Sequence, residues 1–199
     1  MVCETLGMPA VDPAQRRAEI VEATFGLLAE GGVEAATMRR VAAAAGATTG
    51  RVTHYFDLRV ELLVAALREV DRRRQQRISA HDELDPFERL RAVLMERLPL
   101  DRERLDEVRV CLALAGTNLP DLRDELMRQA VEWDRLVRSL VADAHMPDDM
   151  TVQLLALLDG FALRLTVDST RRARQAATGA LEALLTGQPA TRTSATKTG

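Results

Sequence analysis

The stretch from Thr37 to Leu63, TMRRVAAAAGATTGRVTHYFDLRVELL, constrains the fold more than any other, because it sets two short helical patterns on either side of a glycine. Helical periodicity lets Val41 and Ala42 of the first pattern meet Val52 of the second, and Ala44, Ala45 and Ala47 are small enough for close approach. Gly46 supplies the tight turn between them. This predicts a helix-turn-helix.

The second helix of the pair is the informative one. Thr48 is a good N-cap, and a step of about 100° per residue then fixes where each side chain points. Val52 turns inward, Gly50 and His54 lie opposite it, Arg51 and Thr53 flank them, and Tyr55 and Phe56 swing back toward the core. A glycine within a helix costs roughly 1 kcal/mol, which makes sense on an outward face that another surface must approach, as a DNA groove would. A solvated face on a small helical hairpin is the other reading this geometry leaves open. On the first reading the DNA-contacting residues are Thr37, Arg39, Arg40, Thr48, Thr49, Gly50, Arg51, Thr53, His54, Tyr55 and Arg59. Arg51 is placed to read a guanine edge, and Arg59 to meet a phosphate with the capping hydroxyls of Thr37 and Thr48.

The order Gly46, Ala47, Thr48, Thr49, Gly50, Arg51, Val52, Thr53, His54, Tyr55, Phe56, then Arg59 and Leu62, resembles the tetracycline-repressor family signature. Upstream, Ile20, Ala23, Leu28, Gly31, Thr37 and Val41 sit where that family has its first helix, its glycine stop and its second helix. Thr53 departs from the pattern, standing where the family usually has a tyrosine that touches the DNA backbone. Arg59 keeps the charge of the usual lysine. The resemblance implies a homodimeric, ligand-responsive transcription regulator, a repressor released from a palindromic double-stranded DNA operator by a small organic inducer. The competing reading is a helical small-molecule-binding and dimerisation module without specific DNA binding.

The 199 residues, 47% of them hydrophobic, are enough for one sizeable core or two small units sharing one. No run of about 18 apolar residues stands out, and the first twelve residues lack both a basic start and an apolar centre. Neither a membrane span nor a signal peptide is expected, and the location is expected to be cytoplasmic. Cys3 and Cys111, the two cysteines, have no metal-ligand spacing, so neither a disulfide framework nor a zinc site is expected. The net charge of −3 does not exclude a DNA binder, because affinity depends on where charge sits. Arg39, Arg40, Arg51 and Arg59 cluster around the helix-turn-helix. Lys197 is the one lysine, an arginine bias that fits a GC-rich genome.

The fold class expected is all-α, with about nine helices: a loose arm over 1–12, a three-helix DNA-binding domain over 13–60, a ligand-binding and dimerisation domain over 61–186, and a disordered polar tail over 187–199. Asp12 is the expected N-cap of the first helix, with Pro13 at its first position, Gln15 closing a capping box and Gly31-Gly32 as the stop. Asp57 is expected to cap the fourth helix, which carries Arg68, Arg72, Arg73, Arg74 and Arg77 as a solvated face. Asp85-Pro86 with Glu88 opens a helix striped by Leu90, Val93, Leu94 and Leu98. Helices from about Asp101 and from Pro120 follow, His145-Met146-Pro147 is a break, and the last helix is expected to start at Ser169.

The final two helices have more apolar surface than one core contact needs. A helix buried all round inside a monomer is one reading; the family resemblance favours the other, a two-fold four-helix interface built on Leu154, Leu158, Leu165, Ala177, Leu181 and Leu184. No esterase, phosphate-loop, zinc-protease or di-iron motif appears, so no catalytic residues, metal or cofactor are expected, and the chain is read as not an enzyme. The segment from Leu98 to Phe161 further resembles the C-terminal domains of the choline-betaine regulator branch. A quaternary ammonium needs several aromatic faces, yet beyond the helix-turn-helix region only Phe87, Trp133 and Phe161 are aromatic. Leu94, Met95, Cys111, Leu114, Met127, Trp133 and Phe161 are the candidate lining of an adaptable apolar pocket.

Overall fold

Local chemistry sets most helix ends in the structure, a computed structural model that describes residues 12–187. The expected arm and tail otherwise lie outside the described residues. The described residues form α1 (Pro13–Ala35), α2 (Met38–Ala44), α3 (Thr49–Tyr55), α4 (Arg59–Ser79), α5 (Pro86–Arg97), α6 (Arg102–Ala115), α7 (Pro120–Asp143), α8 (Met150–Val167) and α9 (Arg171–Thr186), with no strand among them.

Asp12 caps α1 by accepting the Ala14 N–H at 3.1 Å. The expected reciprocal bond from Gln15 is not made, because its side chain turns along the helix to Glu19 at 3.4 Å. The predicted glycine stop is a break inside α1: Gly31 has φ −136° and Gly32 φ 64°, and a last turn follows to Ala35. Gly32 needs its freedom because that φ is left-handed. Asp57 does not cap α4. The helix starts two residues later, where the Glu61 carboxylate accepts the Leu58 N–H at 3.4 Å. Asp85 and Asp101 cap α5 and α6. Glu88 pairs with Arg91 at 3.3 Å. The cap of α9 is Thr170, not Ser169, whose carbonyl instead accepts the Arg174 guanidinium.

Three apolar clusters make the interior, and α4 threads all of them. Its Leu62 and Ala65 close the first around Ile20, Val41, Val52 and Phe56. Leu63, Ala66, Leu67 and Val70 enter the second with Phe25, Leu28, Val110, Leu114 and Leu122. Ile78 reaches the third, among α5, α7, α8 and α9, where Leu90, Leu94, Leu98, Val137, Leu154, Leu158 and Leu181 have no exposed surface. Full burial of such side chains stabilises by about 1.5–3 kcal/mol each. A rigid rod therefore joins the helix-turn-helix to the far bundle.

The arginines of α4 are only in part a solvated face: Arg68 and Arg72 are exposed, whereas Arg73 and Arg77 are half-buried and Arg74 is buried. Arg68 pairs with Glu125 at 3.1 Å, Arg73 with Glu22 and with Glu69, and Arg77 bidentately with Glu107 at 2.8 and 2.7 Å. These pairs tie α4 to α1, α6 and α7. Apart from Glu69, their partners lie far along the chain, which is why helical spacing alone did not find them. Glu107 is 2% exposed, so its bond to Arg77 is nearly shielded from water.

Candidate functional site

Two capping threonines build the first surface. Thr37 accepts the Arg40 N–H at 3.3 Å to start α2, and Thr48 accepts the Arg51 N–H at 3.2 Å to start α3. Between them Gly46 takes φ +59°, and the Ala47 N–H bonds back to the Ala42 carbonyl at 2.8 Å, closing α2. Val52, with no exposed surface, and Phe56, 2% exposed, pin α3 onto the first cluster, and Arg17 lies over the Phe56 ring at 4.8 Å.

This packing turns Thr49, Gly50, Arg51, Thr53 and His54 outward on one side and leaves Thr37, Arg39, Arg40 and Thr48 exposed beside them. A Cβ added at Gly50 would meet nothing, so the open side of α3 is bare enough for a close approach. Tyr55 is half-buried with His54 edge-on to its ring, and the Thr53 hydroxyl donates to the Gly50 carbonyl at 3.1 Å. Arg39, Arg40 and Arg51 make no ion pair among the described residues. The segment 37–59 holds a single acidic side chain, Asp57. A cationic, small-residue helix face results, suited to a polyanion.

Arg59 is differently engaged. Its Nε donates to the Ala36 carbonyl at 3.0 Å and its Nη2 to the Val33 carbonyl, so the half-buried guanidinium holds the α1–α2 corner against α4.

The seven candidate pocket residues do not form one lining. Leu94, Met95, Trp133 and Phe161 belong to the third cluster, whereas Cys111 and Leu114 belong to the second. Met127 stands 61% exposed, on the outer side of α7. The cavity that opens here lies between α4 and α7, is about 170 Å³, and is lined by Asp71, Arg74, Gln75, Gln129, Glu132, Trp133 and Leu136. Arg74 is a cavity residue that the sequence pattern did not single out. The signal was present: Arg74 falls four residues after Val70 and four before Ile78, on the apolar stripe of α4, where a solvated arginine does not belong.

Of the six residues expected at a dimer interface, Leu154, Leu158, Leu165, Ala177 and Leu181 have no exposed surface within a single protomer, and Leu184 is half-buried against the same core. They are core residues. The uncovered face of α8 is the other side, where Val152 is 67%, Leu163 58% and Val167 88% exposed, with Ala156 and Gly160 between them. By length and mean hydropathy α8 is apolar enough to cross a membrane, but it carries Asp159 and Arg164 and its other side is core.

A capped, cationic helix-turn-helix on a helical bundle, joined to it by α4, defines a class: a DNA-binding regulator of the two-part, all-helical kind. Residues 20–66 match the profile of bacterial regulatory proteins of the tetR family, and residues 86–188 that of the C-terminal domain of BetI-type transcriptional repressors. The chain belongs to the TetR family, with a BetI-type C-terminal part. It is 31% identical over 173 residues to the transcriptional regulator PksA of Bacillus subtilis, covering 81% of this chain and 83% of that one. To the regulator BetI of Burkholderia ambifaria it is 31% identical over 169 residues, covering 79% and 86%. A transcriptional regulator from Saccharomonospora viridis, solved in complex with choline, shares the fold with a TM-score of 0.79 at 20% identity, covering 87% of this chain and 96% of that one. As a member of a family of transcription factors, the chain is a regulator and not an enzyme. Among the described residues no group of three histidine, cysteine or acidic side chains is placed to hold a metal.

Proposed function

We propose that the chain is a cytoplasmic homodimeric repressor that binds a near-palindromic operator through α3 and releases it when a small organic inducer binds the bundle. The observation that carries the DNA-binding part is the outward face of α3, where Arg51 and its neighbours are exposed, unpaired and capped in place by Thr48. Arg51 reads base edges in the major groove, and Arg39, Arg40 and the threonine hydroxyls meet phosphates. The functional units run over 13–60 and 61–186, with α4 as the shared rod.

Dimerisation rests on the apolar side of α8, since Val152, Leu163 and Val167 form a contiguous uncovered stripe that water solvates poorly. A two-fold pairing of that stripe covers it in both copies. The inducer acts by favouring the arrangement of α4 whose paired recognition helices no longer match successive grooves. A coupling of about 1–3 kcal/mol corresponds to a roughly 5- to 150-fold change in operator affinity.

The experiment is a gel shift with the DNA flanking the protein's own coding sequence, using the wild type and Arg51→Ala. Specific retention by the wild type that Arg51→Ala weakens by about 1–3 kcal/mol per half-site supports the reading. Equal binding of flanking and random DNA by a folded dimer favours the module without specific DNA binding.

A further inference from the structure

Around Trp133 the interior lacks acceptors rather than donors. Arg74 of α4 is 7% exposed, makes no hydrogen bond or ion pair among the described residues, and has its Nε buried without a partner. The Trp133 Nε1–H is likewise buried and unpartnered. Both residues line the cavity of about 170 Å³ between α4 and α7. A second guanidinium, Arg97 of α5, lies over the Trp133 ring at 5.3 Å. The nearest carboxylate to Arg97 is that of Asp159, 3.9 Å away and 71% exposed. Burial, and after it the charge of Arg74, lowers the Arg97 pKa to about 10.

The contrast along α4 sharpens the point, because Arg68, Arg72, Arg73 and Arg77 each have a carboxylate and Arg74 has none. The two acids at the cavity do not serve it: Asp71 and Glu132 are 3.7 and 2.7 Å from Arg128. A buried cation without a counter-charge is strongly unfavourable. An incoming anion supplies both the missing charge and the missing lone pairs.

We propose that this cavity takes a small organic carboxylate, recognised by Arg74 and by the Trp133 N–H in the positive field of Arg97 over the Trp133 ring, with its apolar part against Trp133 and Leu136. A guanidinium fork matches a carboxylate in shape as well as charge. A volume of about 170 Å³ lies below the roughly 300–1,000 Å³ of drug-sized sites, which restricts the occupant to a small acid. A quaternary ammonium fits poorly, since it adds a third cation and Arg97 already covers a face of the one tryptophan. The assignment names the inducer class of the regulator proposed above and rests on that reading.

The test titrates the full chain with benzoate and hexanoate, with their amides benzamide and hexanamide, and with choline, reading Trp133 fluorescence and melting temperature. At least one acid binds about 10- to 100-fold tighter than its amide. Arg74→Met loses that preference yet melts no lower than wild type in the absence of acid, because its unpaired charge is gone. Arg97→Met weakens the acid in the same direction. An amide or choline binding as well as the acids, no response to either acid, or a destabilised Arg74→Met with unchanged acid binding each overturns the inference. A parallel gel shift keeps the two readings apart: intact operator binding without an acid response removes only the ligand class, whereas loss of specific DNA binding by wild type removes the regulator reading while the titration still stands.

Discussion

Replacing Arg59 with alanine separates a structural role from a DNA contact. The guanidinium donates to the Ala36 and Val33 carbonyls across the α1–α2 corner. Hydrogen bonds from a charged group contribute about 1.5–3 kcal/mol each when shielded, and half-burial puts this pair at the lower end, about 2–3 kcal/mol together. At roughly 2–4 °C per kcal/mol for a chain of this size, Arg59→Ala lowers the melting temperature by about 4–12 °C. Arg51→Ala, at an exposed and unpaired position, leaves stability within about 0.5 kcal/mol. Salt titrations of DNA binding, run well below the melting point, complete the comparison. Arg59→Ala keeps the wild-type log–log slope if its bonds to the carbonyls are its main work. A variant that melts like wild type and whose slope is shallower by about 1 per half-site refutes this, and makes Arg59 the phosphate contact that its placement in the sequence led one to expect.

Further outcomes follow from the same contacts. Arg77→Met strands the carboxylate of Glu107, 2% exposed, and costs about 3–5 kcal/mol in urea unfolding, most of it recovered by adding Glu107→Leu. Leu163→Glu gives a folded monomer by light scattering with native circular dichroism, whereas Leu158→Glu, at a site with no exposed surface, unfolds the protomer; a folded dimer of Leu163→Glu removes the α8 face from the interface. For Glu125, burial raises the pKa, but hydrogen bonds from Arg128, Gln129 and Arg68 outweigh it and bring the carboxyl to about 2. Its folded pKa lies below its unfolded value, so this contribution is present above about pH 4.5 and is lost as pH falls toward about 2. It is about 3 kcal/mol at most, and acid titrations of Glu125→Gln and wild type should converge at the bottom of that window.

What the sequence made legible was local. Thr37, Thr48, Asp85 and Asp101 cap helices through bonds to residues three positions on, and periodicity alone places Val41, Val52 and Phe56 inside. Two caps were misplaced by one residue: Asp57 lost to Leu58, whose N–H the longer Glu61 side chain reaches back to, and Ser169 lost to Thr170. Helix α8 is apolar on two sides, and periodicity does not say which side meets its own core; Leu154, Leu158 and Leu165 therefore read as a partner surface although they pack inside. The α4 arginines posed the opposite problem. The carboxylates that meet Arg68, Arg73 and Arg77 from other helices sit on α7, α1 and α6, and no local pattern records such partners. Arg74 was legible in principle from its place on the apolar stripe, but its lack of a partner emerges only once the helices are packed.

The measurement that tests the central claim most directly is nuclease protection of the intergenic DNA beside the coding sequence by the full-length protein. Two symmetric protected half-sites, their centres one or more turns of about 10 base pairs apart, with protection lost in Arg51→Ala, are the predicted result. A folded dimer that protects no site there, or protects DNA evenly without symmetry, contradicts the assignment of α3 as a recognition helix.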